Sequence, residues 1–297
     1  MRVIDCTTFY SEHLMMDLRF NILNEHVDKF IVCESTISHS GKKKKLNFDI
    51  NNYPKFKDKI SYIVIDEEPE GIIGEKNGLA QPHEKRSDSL KRINLSYDYM
   101  IKATSDASDN DLIILSDNDE IPNLNSEQFK RSKKDIIIFK QLFFYYKFNL
   151  LYDLVPWYGS KAAKKKNLLS MSWLRNLKNK KYPIWRLDTL FSKTKYINLE
   201  IINNGGWHFT NLMSAQKLYE KLINFGHHDE FELSGMTVSD LQKKIDNKEV
   251  FFNHFVDKEK YKERWNFNYK LKKINNENLP KFLQLNETQA KLDRWFD

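Results

Sequence analysis

The chain has 297 residues, 40% apolar and 13% aromatic, which excludes a disordered or fibrous chain and is enough to fill one large core. No stretch reaches about 18 uninterrupted apolar residues, so no membrane-spanning helix is expected. The net charge of +7 comes largely from lysines, in runs at Lys42 to Lys45, at Lys164 to Lys166, and at Lys178, Lys180 and Lys181. Such runs suit solvated loops, or attraction to a nucleotide, an acidic glycan or an anionic membrane face. No nucleic-acid module or basic helix with interleaved aromatics occurs, so nucleic acid is not an expected partner.

The first half alternates strand and helix signals. Residues 2–6 read as a strand, and residues 12–24 as a helix, with Leu14, Leu18, Ile22 and Leu23 near helical spacing. Residues 30–33 form an apolar run of the buried parallel-strand kind, and residues 60–65 a third strand. Residues 69–82 contain glycine and proline and read as a long loop. A helix follows over 85–104, with Leu90, Ile93, Tyr97 and Ile101 expected on one face. Residues 112–115 are a fourth strand and residues 136–139 a fifth. The only two cysteines, Cys6 and Cys33, fall in these strands, where a thiol packs as a small hydrophobe, and neither a disulfide framework nor a cysteine metal site is expected. A reducing cytosol suits them.

This alternation predicts an α/β fold, a parallel or mixed sheet flanked by helices. Ligands of open α/β sheets bind beyond the carboxyl ends of the strands, so Thr7 and Thr8, Glu34 and Ser35, and Asp117 should converge on one crevice. Beyond residue 140 the pattern is less regular. The aromatic run Phe143 to Tyr146 alternates poorly, Gly205 to Phe209 follows a strand end, and residues 213–225 read as an amphipathic helix. After about residue 257 the chain is charged and reads as a helical or extended tail. With no repeat and no linker, one domain over 1–297 is expected, with 1–122 as its nucleotide-binding half, 123–256 as its acceptor-binding half and 257–297 as the tail.

The most informative stretch runs from Ile113 to Pro122. An apolar strand ends in three carboxylates, Asp117, Asp119 and Glu120, and then a proline. Carboxylates at the tip of a buried strand are costly unless something positive sits on them. A divalent cation that also holds phosphates meets that need, and Asp-x-Asp after a strand suits it. The competing reading is an acidic turn with Asp119 or Asn123 capping the next helix.

Three blocks in order carry a wider resemblance. They are Asp5-Cys6, Phe9, Glu12, Leu14, Arg19, Val27 to Phe30, Glu34-Ser35 and Ser40 to Lys42; Ser116 to Pro122; and Gly206 to Phe209. Together, over residues 2–255, they resemble glycosyltransferase family 17, which contains the β-1,4-mannosyl-glycoprotein 4-β-N-acetylglucosaminyltransferases. The resemblance implies a GT-A-type fold, a UDP-sugar donor such as UDP-GlcNAc, Mn²⁺ or Mg²⁺, a glycan acceptor and an inverting transfer. The sequence opens on a strand without a signal peptide or the membrane anchor of the animal members. That points to a cytoplasmic protein, open to peripheral contact at the inner membrane face, acting on a cell-surface polysaccharide or glycoconjugate.

On that reading Asp117 and Asp119 bind the metal and donor, with His208 as a third ligand or a diphosphate contact. Glu120 supports them. The two glycines before Trp207 allow a close backbone approach to a ligand. Glu34, Ser35, Thr7 and Thr8 receive the uridine, and Arg92 faces the diphosphate. An inverting transfer needs a general base; Asp229 and Glu230 are preferred over Asp188. Trp157, Trp185 and Trp207 are candidate sugar-stacking platforms. Two rivals remain: a nucleotidyltransferase using the same carboxylates, and a carbohydrate-binding protein on a degenerate scaffold.

Overall fold

The computed structural model describes residues 1–74, 82–189, 191–254, 264–265 and 267–297. Strands β1 (Val3–Thr8), β2 (Lys29–Ser35), β3 (Ile60–Ile65) and β4 (Leu112–Ser116) form the N-terminal part of the sheet. They lie in the order β3-β2-β1-β4, all parallel, with Thr7 opposite both Val32 and Ser116. Helix α1 (His13–Leu23) connects β1 to β2, and α2 (Pro82–Lys102) precedes β4. Strand order reverses between β1 and β4, which opens a crevice at their carboxyl ends.

The buried runs of β1, β2 and β4 have no polar face because both sides of the sheet are covered. Phe30, Val32 and Ile114 pack toward α1, while Ile31, Cys33, Ile113 and Leu115 pack with Met100 of α2. On α2 the buried seam is Ser89, Ser96 and Met100, while Leu90 is exposed. Of the expected apolar face, Tyr97 and Ile101 do pack against the core beside Met100, and only Leu90 turns out to solvent. Of the long loop expected over 69–82, residues 75–81 lie outside the described residues.

The second half is more regular than its sequence suggests. Strand β5 (Glu120–Pro122) follows the acidic loop directly, so no helix starts there for Asp119 or Asn123 to cap. Helix α3 (Glu127–Arg131) comes later and is capped by Ser126. Strand β6 (Ile136–Tyr145) runs through the aromatic segment. It is buried along nearly its whole length, which erases the alternation a half-exposed strand would show. A short β7 (Leu150–Leu151) and the unforeseen β8 (Trp157–Lys164) follow, and β8 enters antiparallel between β4 and β6. Helix α4 (Met171–Asn176), strands β9 (Leu199–Ile202) and β10 (Gly206–Thr210), and helices α5 (Ala215–Leu222), α6 (His228–Ser234) and α7 (Val238–Asp246) complete the body. The whole is the expected α/β architecture, a large mixed sheet flanked by helices.

Beyond a β11 strand (Glu249–Val250), the described part of the terminal segment includes two short strands, β12 (Tyr269–Lys270) and β13 (Lys272–Lys273), and short helices after them. It ends against the body, where Phe148 donates to the Trp295 carbonyl and Asp297 to Asn149.

Candidate functional site

The loop from β4 to β5 is shaped by its own side chains. Glu120 is fully buried and folds back to accept the Asp117 amide at 3.0 Å. Arg19 of α1, also fully buried, grips both oxygens of Asp5 at 2.6 and 2.5 Å and donates to the Glu120 carbonyl at 2.7 Å. The Phe209 amide of β10 holds the Asp119 carbonyl at 2.9 Å. Strands β1, β5 and β10 and helix α1 thereby fix the acidic loop at the switch point.

Two cations face this cluster. Arg175 of α4 donates to Asp117 at 2.6 Å and to Glu120 at 2.9 Å. Lys221 of α5 lies 3.9 Å from both Asp119 and Glu12. Asp117 keeps half its side-chain surface open, at the mouth of a crowded pocket. Partial desolvation, with Glu120 and Asp119 nearby, outweighs Arg175 and raises its carboxyl above the ordinary value. Asp119 goes the other way. Burial opposes its charge, but His208, Lys221 and the Thr210 hydroxyl hold it well below the usual carboxylate range. Glu120 is buried too, and Arg175 keeps it below its ordinary value. Tyr97 of α2 faces the same group, its hydroxyl pushed up by burial and by Asp117.

His208 belongs to a three-ring cluster in which Phe143 and Trp157 also touch each other, with centroids 4.6 Å apart. Its ring stacks on Phe143 and on Trp157, each with centroids 4.4 Å apart. Its Nε2 lies 3.4 Å from Asp119, and its buried Nδ1 has no partner. Trp157 is itself fixed by an indole hydrogen bond of 3.0 Å to Glu120. The glycines before His208 serve the protein's own backbone. A Cβ on Gly206 would meet the Ile121 carbonyl at 2.1 Å, and one on Gly205 would meet Lys140 at 2.6 Å. Gly206 also has φ +121°, which favours glycine.

The other expected site residues fall in several places. Thr7 and Thr8 stand at the β1 tip, beside the acidic loop. Glu34 is fully buried and accepts from Lys44, the amides of Asn47 and Phe48, and the Tyr62 hydroxyl. With four donors it ties down the loop after β2 and presents no open face. The Ser35 hydroxyl caps the Ile37 amide. Arg92 is paired with Glu68 and donates to the His39 carbonyl. Glu230 is held by Arg264 at 2.7 Å and His227 at 3.3 Å, whereas the buried Asp229 keeps one oxygen without a partner. Asp188 is engaged by Arg186 and Lys195. Trp207 donates to the Asn278 carbonyl, and Trp185 is exposed.

Sequence reasoning missed Arg175 and Lys221. Arg175 lies 58 residues from Asp117 on a six-residue helix among lysine runs, and no local pattern separates it from them.

The fit of a divalent cation can be judged from these contacts. Among the described residues, no group of three or more His, Cys, Asp or Glu side chains is arranged to hold a metal. Asp119 and His208 approach each other as two ligands of one ion would, while Asp117 and Glu120 are engaged by Arg175. These side chains would supply at most two ligands, so a cation here would need its remaining positions filled by other groups.

The chain belongs to glycosyltransferase family 17, whose sequence profile matches residues 1–292. It is 30% identical over 125 residues to the rat and human proteins named beta-1,4-mannosyl-glycoprotein 4-beta-N-acetylglucosaminyltransferase. That match covers 41% of this chain and spans 22% of the length of those relatives. Among solved structures, HddC from Yersinia pseudotuberculosis is 12% identical, covering 68% of this chain and 91% of its own, with a TM-score of 0.30. A glucose-1-phosphate thymidylyltransferase from Bacillus anthracis is 11% identical, covering 69% and 87%, also with a TM-score of 0.30.

Proposed function

We propose that the chain transfers N-acetylglucosamine from UDP-GlcNAc to a hydroxyl of a glycan acceptor, with inversion at the anomeric carbon. The names of the rat and human relatives support the sugar and the reaction type. The observation that carries the reading is the meeting of Asp119, His208, Lys221 and Arg175 at the β1/β4 switch point.

A departing diphosphate carries negative charge into the crevice, and preorganised cations lower the barrier to that departure. Arg175 and Lys221 are the cations the chain itself supplies there. Asp119 and His208 would hold Mn²⁺ or Mg²⁺, which adds positive charge beside the diphosphate when bound. The acceptor oxygen forms the new bond to the anomeric carbon as the bond to the diphosphate oxygen breaks. UDP leaves with that electron pair. The acceptor proton passes to a carboxylate, for which Asp229 has a free oxygen and Glu230 does not. On this reading Thr7 and Thr8, at the β1 tip, would contact the nucleoside end of the donor.

The test is donor turnover. The chain is incubated with UDP-GlcNAc and other UDP-sugars, with Mn²⁺ or with excess EDTA, and UDP and free or transferred sugar are measured. UDP-GlcNAc is the expected best donor, and Asp119→Asn is expected to be inactive while melting normally. Full activity of that variant rejects the reading, and so does transfer of the nucleotide instead of the sugar.

A further inference from the structure

The positive charge of the chain is concentrated in one stretch. Residues 161–195 hold eleven lysines and arginines and a single acid, Asp188, for a net +10. The whole chain carries +7, so everything outside that stretch is net −3. Several of these cations have duties inside the protein. Lys161 donates to the carbonyls of Arg175 and Leu177, Arg175 serves the acidic cluster, and Lys164 pairs with Asp135. Lys178, Lys180, Lys181 and Lys193 are exposed, and their ammonium groups make no hydrogen bond or ion pair among the described residues.

The same loop exposes large apolar side chains. Ile184, Trp185, Leu187 and Phe191 are 82%, 80%, 71% and 89% open. Among the described residues only Met1 and Leu169 are comparably exposed apolar side chains, and Leu169 stands at the entry to α4. Apolar tips held this far into water are unfavourable unless something covers them. The loop has one short 3-10 turn, at Leu187–Thr189, and no helix or strand among its described residues before β9, so its apolar tips do not line one face of an element.

We propose that this loop docks the protein on an anionic lipid bilayer. Two features together fit that partner. The unpaired lysines are of one sign and flank the apolar tips, and lysines near an anionic headgroup layer are each attracted to it. Tryptophan, phenylalanine and aliphatic tips partition into the headgroup boundary without spanning the membrane. Neither attraction alone gives stable attachment, and their combination does. No helix among the described residues is long and apolar enough to cross a membrane, so the attachment is to one face. The loop leaves α4 just after Arg175, which faces Asp117 and Glu120. Docking is separate from the transfer chemistry, and its test does not use activity.

The test is co-sedimentation of the chain with vesicles of phosphatidylcholine alone or mixed with phosphatidylglycerol, at low and high salt. Binding to the mixed vesicles is expected, weakening with salt, with little binding to the neutral ones. The triple variant Lys178→Glu, Lys180→Glu, Lys181→Glu is expected to lose roughly a hundredfold in affinity. Trp185→Ser with Phe191→Ser is expected to lose roughly tenfold. Circular dichroism melts check that both variants fold. If one does not, quenching of the unaltered protein's tryptophan emission by brominated lipid replaces it, and quenching is expected. No sedimentation, equal binding to neutral vesicles, or binding unchanged in folded variants overturns the proposal. A dimer in light scattering that Trp185→Ser with Phe191→Ser converts to monomer also overturns it, because a second copy then covers the loop.

Discussion

Arg19 and Asp5 form a two-pronged ion pair with no measurable exposure on either side chain beyond 1%, and the same guanidinium reaches the Glu120 carbonyl. The pair ties α1 and β1 to the loop that carries the acidic cluster. A charge this deeply buried is tolerable only while its partner stays. Arg19→Met is therefore expected to lose about 3–5 kcal/mol of stability by leaving Asp5 buried and alone. Denaturant unfolding of the variant checks this. The paired change Arg19→Met with Asp5→Leu is expected to recover part of the loss, because no uncompensated charge remains.

Arg175 is the counter-charge of Asp117 and Glu120. Arg175→Ala is expected to lower the turnover number by on the order of 100-fold, as preorganised positive charge at a developing anion typically contributes. Arg175→Lys should recover little, since one ammonium cannot span two carboxylates as the planar fork does. Steady-state kinetics with UDP-GlcNAc decides it, and wild-type turnover in either variant refutes the role.

His208 could serve chemistry or only the aromatic stack, and one substitution separates the two. His208→Phe keeps a ring against both Phe143 and Trp157 but removes Nε2 from Asp119. Stability is expected to change by less than about 1.5 kcal/mol, as for volume-conserving swaps. Metal-dependent UDP affinity in calorimetric titration is expected to fall. Unchanged affinity assigns His208 to packing.

Gly206→Ala should be severe despite its small size. The added methyl would meet the Ile121 carbonyl at 2.1 Å, and the backbone is already at φ +121°. A loss of about 3 kcal/mol or more is expected, read from the shift of the unfolding midpoint. A midpoint within a degree or two of wild type would contradict the packing described.

His39 gives a pH dependence of stability. Burial, then Arg92 and Arg86 of α2, lower its folded value to about 4, against weak support from Glu12, with His228 of α6 adding to the lowering. The unfolded ring takes a proton near pH 6.5, so the unfolded state binds more protons between pH 6.5 and 4. Stability is therefore full above pH 6.5 and falls as the pH drops toward 4, by about 1–2 kcal/mol from this ring, given its residual solvent contact. His39→Phe should flatten that slope in urea unfolding across the window. An identical slope in the variant removes His39 as its source.

Much of this architecture is written locally. Strands β1 to β4 and helix α1 follow from apolar runs and helical spacing, and the acidic loop announces itself by three carboxylates after a buried strand. What escaped is long-range. Strand β8 carries Gly159, Ser160 and Lys161 in its middle, and its place between β4 and β6 depends on partners some 20 to 50 residues away. Arg175 and Lys221 look like any exposed lysine or arginine until the sheet brings them to Asp117 and Asp119. Glu34 shows the same dependence on partners: at its strand tip Lys44, Asn47, Phe48 and Tyr62 all turn inward to it.

The stack of Trp157 on His208 gives the chain a built-in optical reporter. Trp157 is held 4.4 Å from the ring and at 23° to it, with its indole bonded to Glu120, so whatever binds at His208 changes the surroundings of that indole. Light emitted by this tryptophan therefore tracks what sits at His208 without any added dye, and a Trp157→Phe chain supplies the blank against which the other five tryptophans are subtracted.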